Sequence, residues 1–133
     1  MVIFDKLNIP HSGMMAQKLK IELISENIAN SDTIMTLDGD VYKRKTPIFE
    51  EIYNFEKNSF EGVKVKSIIK ENSEGILKYE PNHPLADKNG YVKYPDINII
   101  RELTDLINAQ RAYEANLAVF NSIKSIINKS LEI

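Results

Sequence analysis

The sequence predicts an α+β fold: an elongated chain whose long N- and C-terminal helices pack as an antiparallel coiled coil, with a small β-rich insertion between them. Three observations predict it. The last quarter of the chain, from Ile99 to Leu131, carries an unbroken four-three heptad spacing, which keeps side chains on one stripe of an α-helix. The first thirty residues carry a shorter stripe of the same period. Between them lie alternating apolar and polar residues punctuated by Gly, Pro and Asn-Gly, the pattern of strands and turns. The chain therefore divides into an N-terminal helical segment (1–33), a small β-rich domain (34–95) and a C-terminal helix (96–133).

In the first segment Ile3, Leu7, Met14, Ile21, Ile24 and Ile28 share one stripe, with Pro10 and Gln17 as its irregular members. Pro10 lacks an N–H and restricts Ile9, so the spacing predicts a short piece before it and a firm helix from about Ser12 to Asn30. Asn30-Ser31-Asp32-Thr33 ends that helix, with Asn suited to a left-handed cap. Asp38-Gly39 is a hairpin turn signal. Val41 to Phe49 reads as a strand interrupted at Pro47, and Ile48 to Phe60 is open between helix and loop. Gly62 to Ile68 alternates as a strand, with Gly75 to Tyr79 as its partner. Tyr91 to Tyr94 is a further short strand. Asp96 is then the N-cap of a helix over about Ile97 to Ser130.

That last helix would be roughly 50 Å long, against about 30 Å for the diameter of a small domain. Its first stripe runs Ile99, Leu103, Leu106, Gln110, Tyr113, Leu117, Phe120, Lys124, Ile127 and Leu131. Beside it lies a second: Ala109, Ala112, Asn116, Val119, Ile123, Ile126 and Ile133. Such a helix is apolar over more than one narrow seam, and a lone 133-residue chain has little mass to cover it. The sequence thus asks for burial by neighbours, some of them other chains. Antiparallel packing places Ile28 near Leu103 or Leu106, Ile3 near Ile127, and Gln17 opposite Tyr113 and Asn116.

Composition narrows the function classes. A net charge of −2 lacks the basic footprint of a nucleic-acid binder, and the Tyr42-Lys43-Arg44-Lys45 run reads as a solvated strand face. There is no cysteine, so no disulfide and no thiolate metal site. His11 and His83, the two histidines, lie in different segments without ligand partners at metal spacing. Asp87-Lys88-Asn89-Gly90 begins like a calcium loop but lacks the later ligands, and Asn-Gly turn chemistry explains it. No phosphate loop or nucleophile elbow is present. The reading is therefore no enzyme, no cofactor and no metal. No run approaches a transmembrane span, and the N-terminus does not read as a cleaved secretory signal.

Short motifs then carry a resemblance. Asn27-Ile28-Ala29-Asn30-Ser31-Asp32-Thr33 closes the first helix, and Ala109-Gln110-Arg111-Ala112-Tyr113-Glu114-Ala115-Asn116 lies within the last. Between them stand Tyr79-Glu80-Pro81-Asn82-His83-Pro84, Asp87-Lys88-Asn89-Gly90-Tyr91-Val92 and Tyr94-Pro95-Asp96-Ile97-Asn98. With Ser12-Gly13-Met14, Ala16-Gln17 and Asp38-Gly39, this ordered series resembles the bacterial flagellar basal-body rod family over nearly the whole chain, and within it the proximal rod. The resemblance implies a structural subunit that polymerises through its terminal helices into an axial assembly crossing the periplasm. It implies copies of itself and other rod subunits as partners, and export unfolded through the flagellar type III apparatus without a cleaved signal. It implies neither nucleic-acid binding nor direct membrane insertion. Another short rod protein, or a non-flagellar coiled-coil adaptor, is the alternative; an adaptor has no need of the string from Tyr79 to Asn98.

The candidate assembly interface combines stripe and motif residues. On the first helix these are Ile3, Leu7, Met14, Gln17, Ile21, Ile24, Asn27, Ile28 and Asn30. On the last they are Leu103, Leu106, Gln110, Arg111, Tyr113, Glu114, Asn116, Leu117, Phe120 and Ile127. Asn27 and Asn30, three apart, direct both amides to one side, where they can bond the backbone; a plain Asn-rich helix end is the alternative for Asn30. Arg111 and Glu114 form an i, i+3 pair that reads first as a solvated helix pair, with an interface contact as the alternative. Tyr113 can pack its ring and still direct its hydroxyl to a polar neighbour.

Overall fold

A computed structural model describes residues 2–132. Met1 and Ile133 lie outside the described residues, and with Ile133 the end of the second stripe. The elements run α1 (Val2–Asp5), α2 (Asn8–Ala29), β1 (Lys45–Asn54), β2 (Ser59–Lys70), β3 (Ile76–Tyr79), β4 (Tyr91–Tyr94) and α3 (Ile99–Leu131). The fold is α+β: the short α1 and long α2 at one end of the chain, the long α3 at the other, and two small antiparallel sheets between them.

Helix α2 begins four residues before Ser12, and Pro10 lies buried in its first turn. That position tolerates proline because the first N–H groups of a helix have no intrahelical partner. Ser12, expected as a starter, instead joins the helix to the sheet. Its hydroxyl donates to Ile9 O at 2.7 Å and accepts from Val63 N at 3.0 Å. At the other end Asn30 is not left-handed (φ −101°). Its backbone N–H and its side-chain amide both donate to Glu26 O, at 3.0 and 2.9 Å, and its Oδ1 accepts from Thr33 Oγ1 at 3.0 Å. The side chain does the work a left-handed backbone would otherwise do.

The chain then turns through Thr36–Asp40, closed by Gly39 N to Thr36 O at 2.9 Å and Thr36 N to Asp40 O at 2.8 Å. Gly39 supplies the positive φ of +80°, as the Asp-Gly signal implies. Strand β1 runs straight through Pro47, which stands opposite Ile68, and continues to Asn54. A proline is tolerated because a two-stranded sheet has a free edge on each strand. The ambiguous stretch from Ile48 to Phe60 is thus strand, turn and strand. β2 pairs with β1, not with Gly75–Tyr79, and its register slips twice, leaving Glu61 and Lys66 as bulged residues. β3 pairs with β4 across Tyr79 and Tyr91, whose rings lie 5.3 Å apart. The Asp87–Gly90 turn is closed by its own carboxylate, which accepts from Asn89 N at 2.8 Å and Tyr91 N at 2.9 Å.

Asn98, not Asp96, caps α3; its side chain accepts from Ile100 N at 3.0 Å and Arg101 N at 3.2 Å. Asp96 is engaged elsewhere, accepting from Ser73 Oγ. α2 and α3 pack together in opposite directions: Asn27 meets Glu102, and Gly13 meets Asn116, so equal lengths of the two helices separate the two contacts. This alignment lies one to two residues from the expected pairs Ile28–Leu103, Ile3–Ile127 and Gln17–Tyr113, and four to five from Ile28–Leu106 and Gln17–Asn116. The β1–β2 sheet packs on α2, and α1 touches both long helices. The core is small: Met14, Ala16, Leu23 and Ile24 of α2, Val41 and Tyr42 of the following loop, Val92, Ala109 and Ile127.

Candidate assembly site

The side chains facing α2 from α3 are not the stripe that the spacing suggests. Glu102, Ala109 and Ile127 are buried, and Leu106, Tyr113, Asn116, Phe120 and Ile123 are half-buried, so the seam steps through these eight. Leu103, Gln110 and Leu117, expected along the seam, are exposed. The helix is turned about its axis by about half of one residue's 100° step from the expected setting. The outward flank carries Leu103 (43% exposed), Ile107 (50%) and Leu117 (38%), with Ile99 and Ile100 above them.

Small groups allow the close crossing. A Cβ on Gly13 would stand 2.8 Å from Asn116 Nδ2, so the amide occupies the space a side chain would take. Asn116 also donates to Ala112 O at 3.0 Å.

Above that crossing lies a buried polar cluster. Asn27 and Glu102 are both fully buried (0% exposed). The Asn27 amide pairs with the backbone of Lys45, donating Nδ2 to its O and accepting from its N, both at 2.9 Å. Its Oδ1 also accepts from Tyr42 OH at 2.8 Å, and its Nδ2 reaches Glu102 Oε2 at 3.3 Å. Asn27 therefore bonds backbone, as expected, but at the entry to β1 rather than where the chain leaves α2. The Arg44 guanidinium lies against Glu102 through Nε and reaches Glu71 and Thr46 through Nη1, at 2.6 and 2.8 Å. Asp105 stands 3.5 Å from Nη2. One guanidinium thus ties α3 to the strand entry and to the end of β2. No buried side-chain polar atom among the described residues is left without a partner.

Electrostatics follow from this packing. Burial opposes the charged guanidinium of Arg44, but hydrogen bonds to Glu102 and Glu71 outweigh it and hold its pKa above the ordinary value. Burial, with the Glu26 and Glu102 carboxylates nearby, pushes the Tyr42 phenol up to about 12 from 10.0. A raised folded-state pKa gives stability that is fully present below the unfolded value and lost as pH rises. Urea midpoints should hold up to about pH 10 and then fall towards pH 12, and Tyr42→Phe should flatten that slope.

Of the first-helix candidates, Met14, Ile24 and Asn27 are buried, while Ile3, Leu7, Gln17, Ile21, Ile28 and Asn30 are half-buried. On α3, Leu106, Tyr113, Asn116, Phe120 and Ile127 turn inward; Leu103, Gln110, Arg111, Glu114 and Leu117 do not. The sequence reading missed Tyr42, Arg44 and Glu102. The basic run is no solvated strand face: Tyr42 is buried and Arg44 nearly so. A signal existed, because the expected meeting of Ile28 with Leu103 sets Asn27 within two residues of the level of Glu102.

The same helices carry the likeness to known proteins. Residues 7–34 match a family described as flagella basal body rod protein, and residues 88–133 match the C-terminal family of the flagellar basal body rod FlgEFG proteins. The flagellar basal-body rod protein FlgC of Borreliella burgdorferi is 42% identical over 100% of this chain and 98% of its own length. The chain belongs to the FlgC family of flagellar basal-body rod proteins. FlgC of Aquifex aeolicus is 39% identical over 99% of this chain and 97% of its own, and FlgC of Salmonella typhimurium 35% over 100% and 98%. Asn27 and Glu102 fall one in each matched region of this FlgC-family chain, while Tyr42 and Arg44 come from the segment between.

Proposed function

We propose that this chain is a structural, non-catalytic subunit of the flagellar proximal rod that docks on copies of itself and on other rod subunits through its terminal helices. The observation that carries the docking surface is the outward flank of α3. Leucine and isoleucine recur there at Ile99, Leu103, Ile107 and Leu117, each left more than a third exposed. The proposed interface comprises this flank with Gln110, Arg111 and Glu114, and the half-buried members of the first-helix stripe. In this reading α2 and α3 form an elongated antiparallel coiled coil, residues 1–33 and 96–133 make the rod core, and residues 34–95 form a domain between them. Export unfolded through the flagellar type III apparatus, with no cleaved signal, suits a chain whose core is this small, because burial against neighbours supplies what the monomer lacks.

The test is the double substitution Leu103→Lys/Leu117→Lys. Both side chains are partly exposed, and a lysine stem can lie along the same surface while its ammonium reaches water, so the monomer should lose no more than about 1 kcal/mol of stability per site in urea unfolding. Introduced into cells lacking the native chain, the variant should leave basal bodies without a completed rod and abolish swimming. Normal swimming with both lysines in place would overturn this docking surface.

A further inference from the structure

Hydrophobicity alone would set α3 differently. Rolled to the stripe that its spacing predicts, the helix would turn Leu103 and Leu117 inward; instead Glu102, Ala109 and Asn116 face α2 while both leucines face out. A glutamate, an alanine and an asparagine thus occupy seam positions that two leucines and a glutamine would otherwise take. Something must favour this setting, and its most buried member is Glu102. Its carboxylate accepts from Arg44 Nε and Asn27 Nδ2, which approach from the strand entry and from α2. Rolling α3 would carry Glu102 away from both and strand a desolvated charge.

We infer that the Asn27–Arg44–Glu102 cluster is the device that sets the rotation of α3, holding Leu103 and Leu117 outward for a neighbouring chain. Buried polar groups that select one alignment among several apolar ones act by this means in coiled coils. The use of the outward face rests on the proposed docking surface; the rotation itself does not. Gly13 and Asn116 pin the axial position but leave the roll open, because an asparagine side chain can swing where a carboxylate held on two sides cannot.

The chain has no cysteine, so single thiols report the roll directly. Leu117→Cys and Ala109→Cys are placed separately in the native chain and in Arg44→Met/Glu102→Leu, which removes both charges and keeps Asn27. Monomers are labelled with a maleimide, with helicity checked by circular dichroism. In the native background the thiol at 117 should react at least roughly tenfold faster than that at 109. In the charge-free background the ratio should fall about tenfold or invert, as α3 rolls to bury position 117. An unchanged ratio in a helical protein would overturn the inference. Should the charge-free chain lose its helicity, Glu102→Gln is read instead; it removes the charge and, with a single acceptor oxygen, can serve Arg44 Nε or Asn27 Nδ2 but not both. A ratio unchanged there, within about twofold, overturns the inference just as directly, and a fall of about threefold or more supports it. Labelling is done on monomers, so it is independent of whether Leu103→Lys/Leu117→Lys blocks the rod.

Discussion

Arg44→Ala should unfold this protein under conditions in which the native chain is stable. Glu102 is fully buried, and Arg44, itself 9% exposed in its side chain, is the cation that compensates it. Removing one partner of a buried pair leaves an uncompensated charge and typically costs about 3–5 kcal/mol. Whole domains of this kind are stable by only about 5–15 kcal/mol. The Asn27 amide at 3.3 Å offers one long hydrogen bond to the stranded carboxylate, far short of replacing a guanidinium. Glu71 would lose its partner too, but it is half-exposed and water can take over. The charge-free double Arg44→Met/Glu102→Leu should recover most of the loss, since replacing both partners with apolar groups of similar size is often neutral or better. Urea unfolding of Arg44→Met, of Glu102→Leu and of the double makes the cycle. A double as unstable as the sum of the singles would mean that the two side chains do not act as a pair.

Gly62→Ala should be the most damaging single-methyl change in the sheet. Gly62 has φ +128°, a region open to glycine and almost closed to other residues, and a Cβ there would overlap Ser12 Oγ. The backbone strain costs about 1–3 kcal/mol. Displacing Ser12 also breaks its bonds to Ile9 O and Val63 N, each worth about 1 kcal/mol. A loss of about 3–5 kcal/mol in urea unfolding is expected for the sum. The two causes separate cleanly. In a Ser12→Ala background the overlap is gone, so Gly62→Ala should then cost only the strain. Full recovery in that background would show that φ is not limiting; no recovery would show that Ser12 plays no part.

Both predictions concern residues that a linear reading treats as ordinary. Gly62 opens a strand-like alternation and gives no hint of a bulge, because register slips arise from pairing with β1 and leave no mark on either strand alone. Strand identity was legible where alternation is strict, as over 62–68, or where turns bracket it, as at Tyr91–Tyr94. Partner choice was not: Gly75–Tyr79 has a strand's composition but pairs with β4, the strand that the Asp87–Gly90 turn returns to it. Pro47 misled because it marks a break only where its missing N–H would have been needed. The helix boundaries shifted for similar local reasons, with Pro10 harmless in a first turn and Asn98 outcompeting Asp96 for the cap.

The sequence by itself determined the helix periods, their antiparallel relation and, through its ordered motifs, the family. Those depend on spacing along one chain, and spacing is what a sequence records. Only the tertiary structure decided which face of α3 is inward, because the apolar positions on that helix permit more than one seam. Burial energy varies smoothly as such a helix rolls, whereas a buried carboxylate must meet its cation and its amide in one place. Glu102 finds Arg44 and Asn27 there, from parts of the chain far apart in sequence, and Leu103 and Leu117 are turned outward as a consequence.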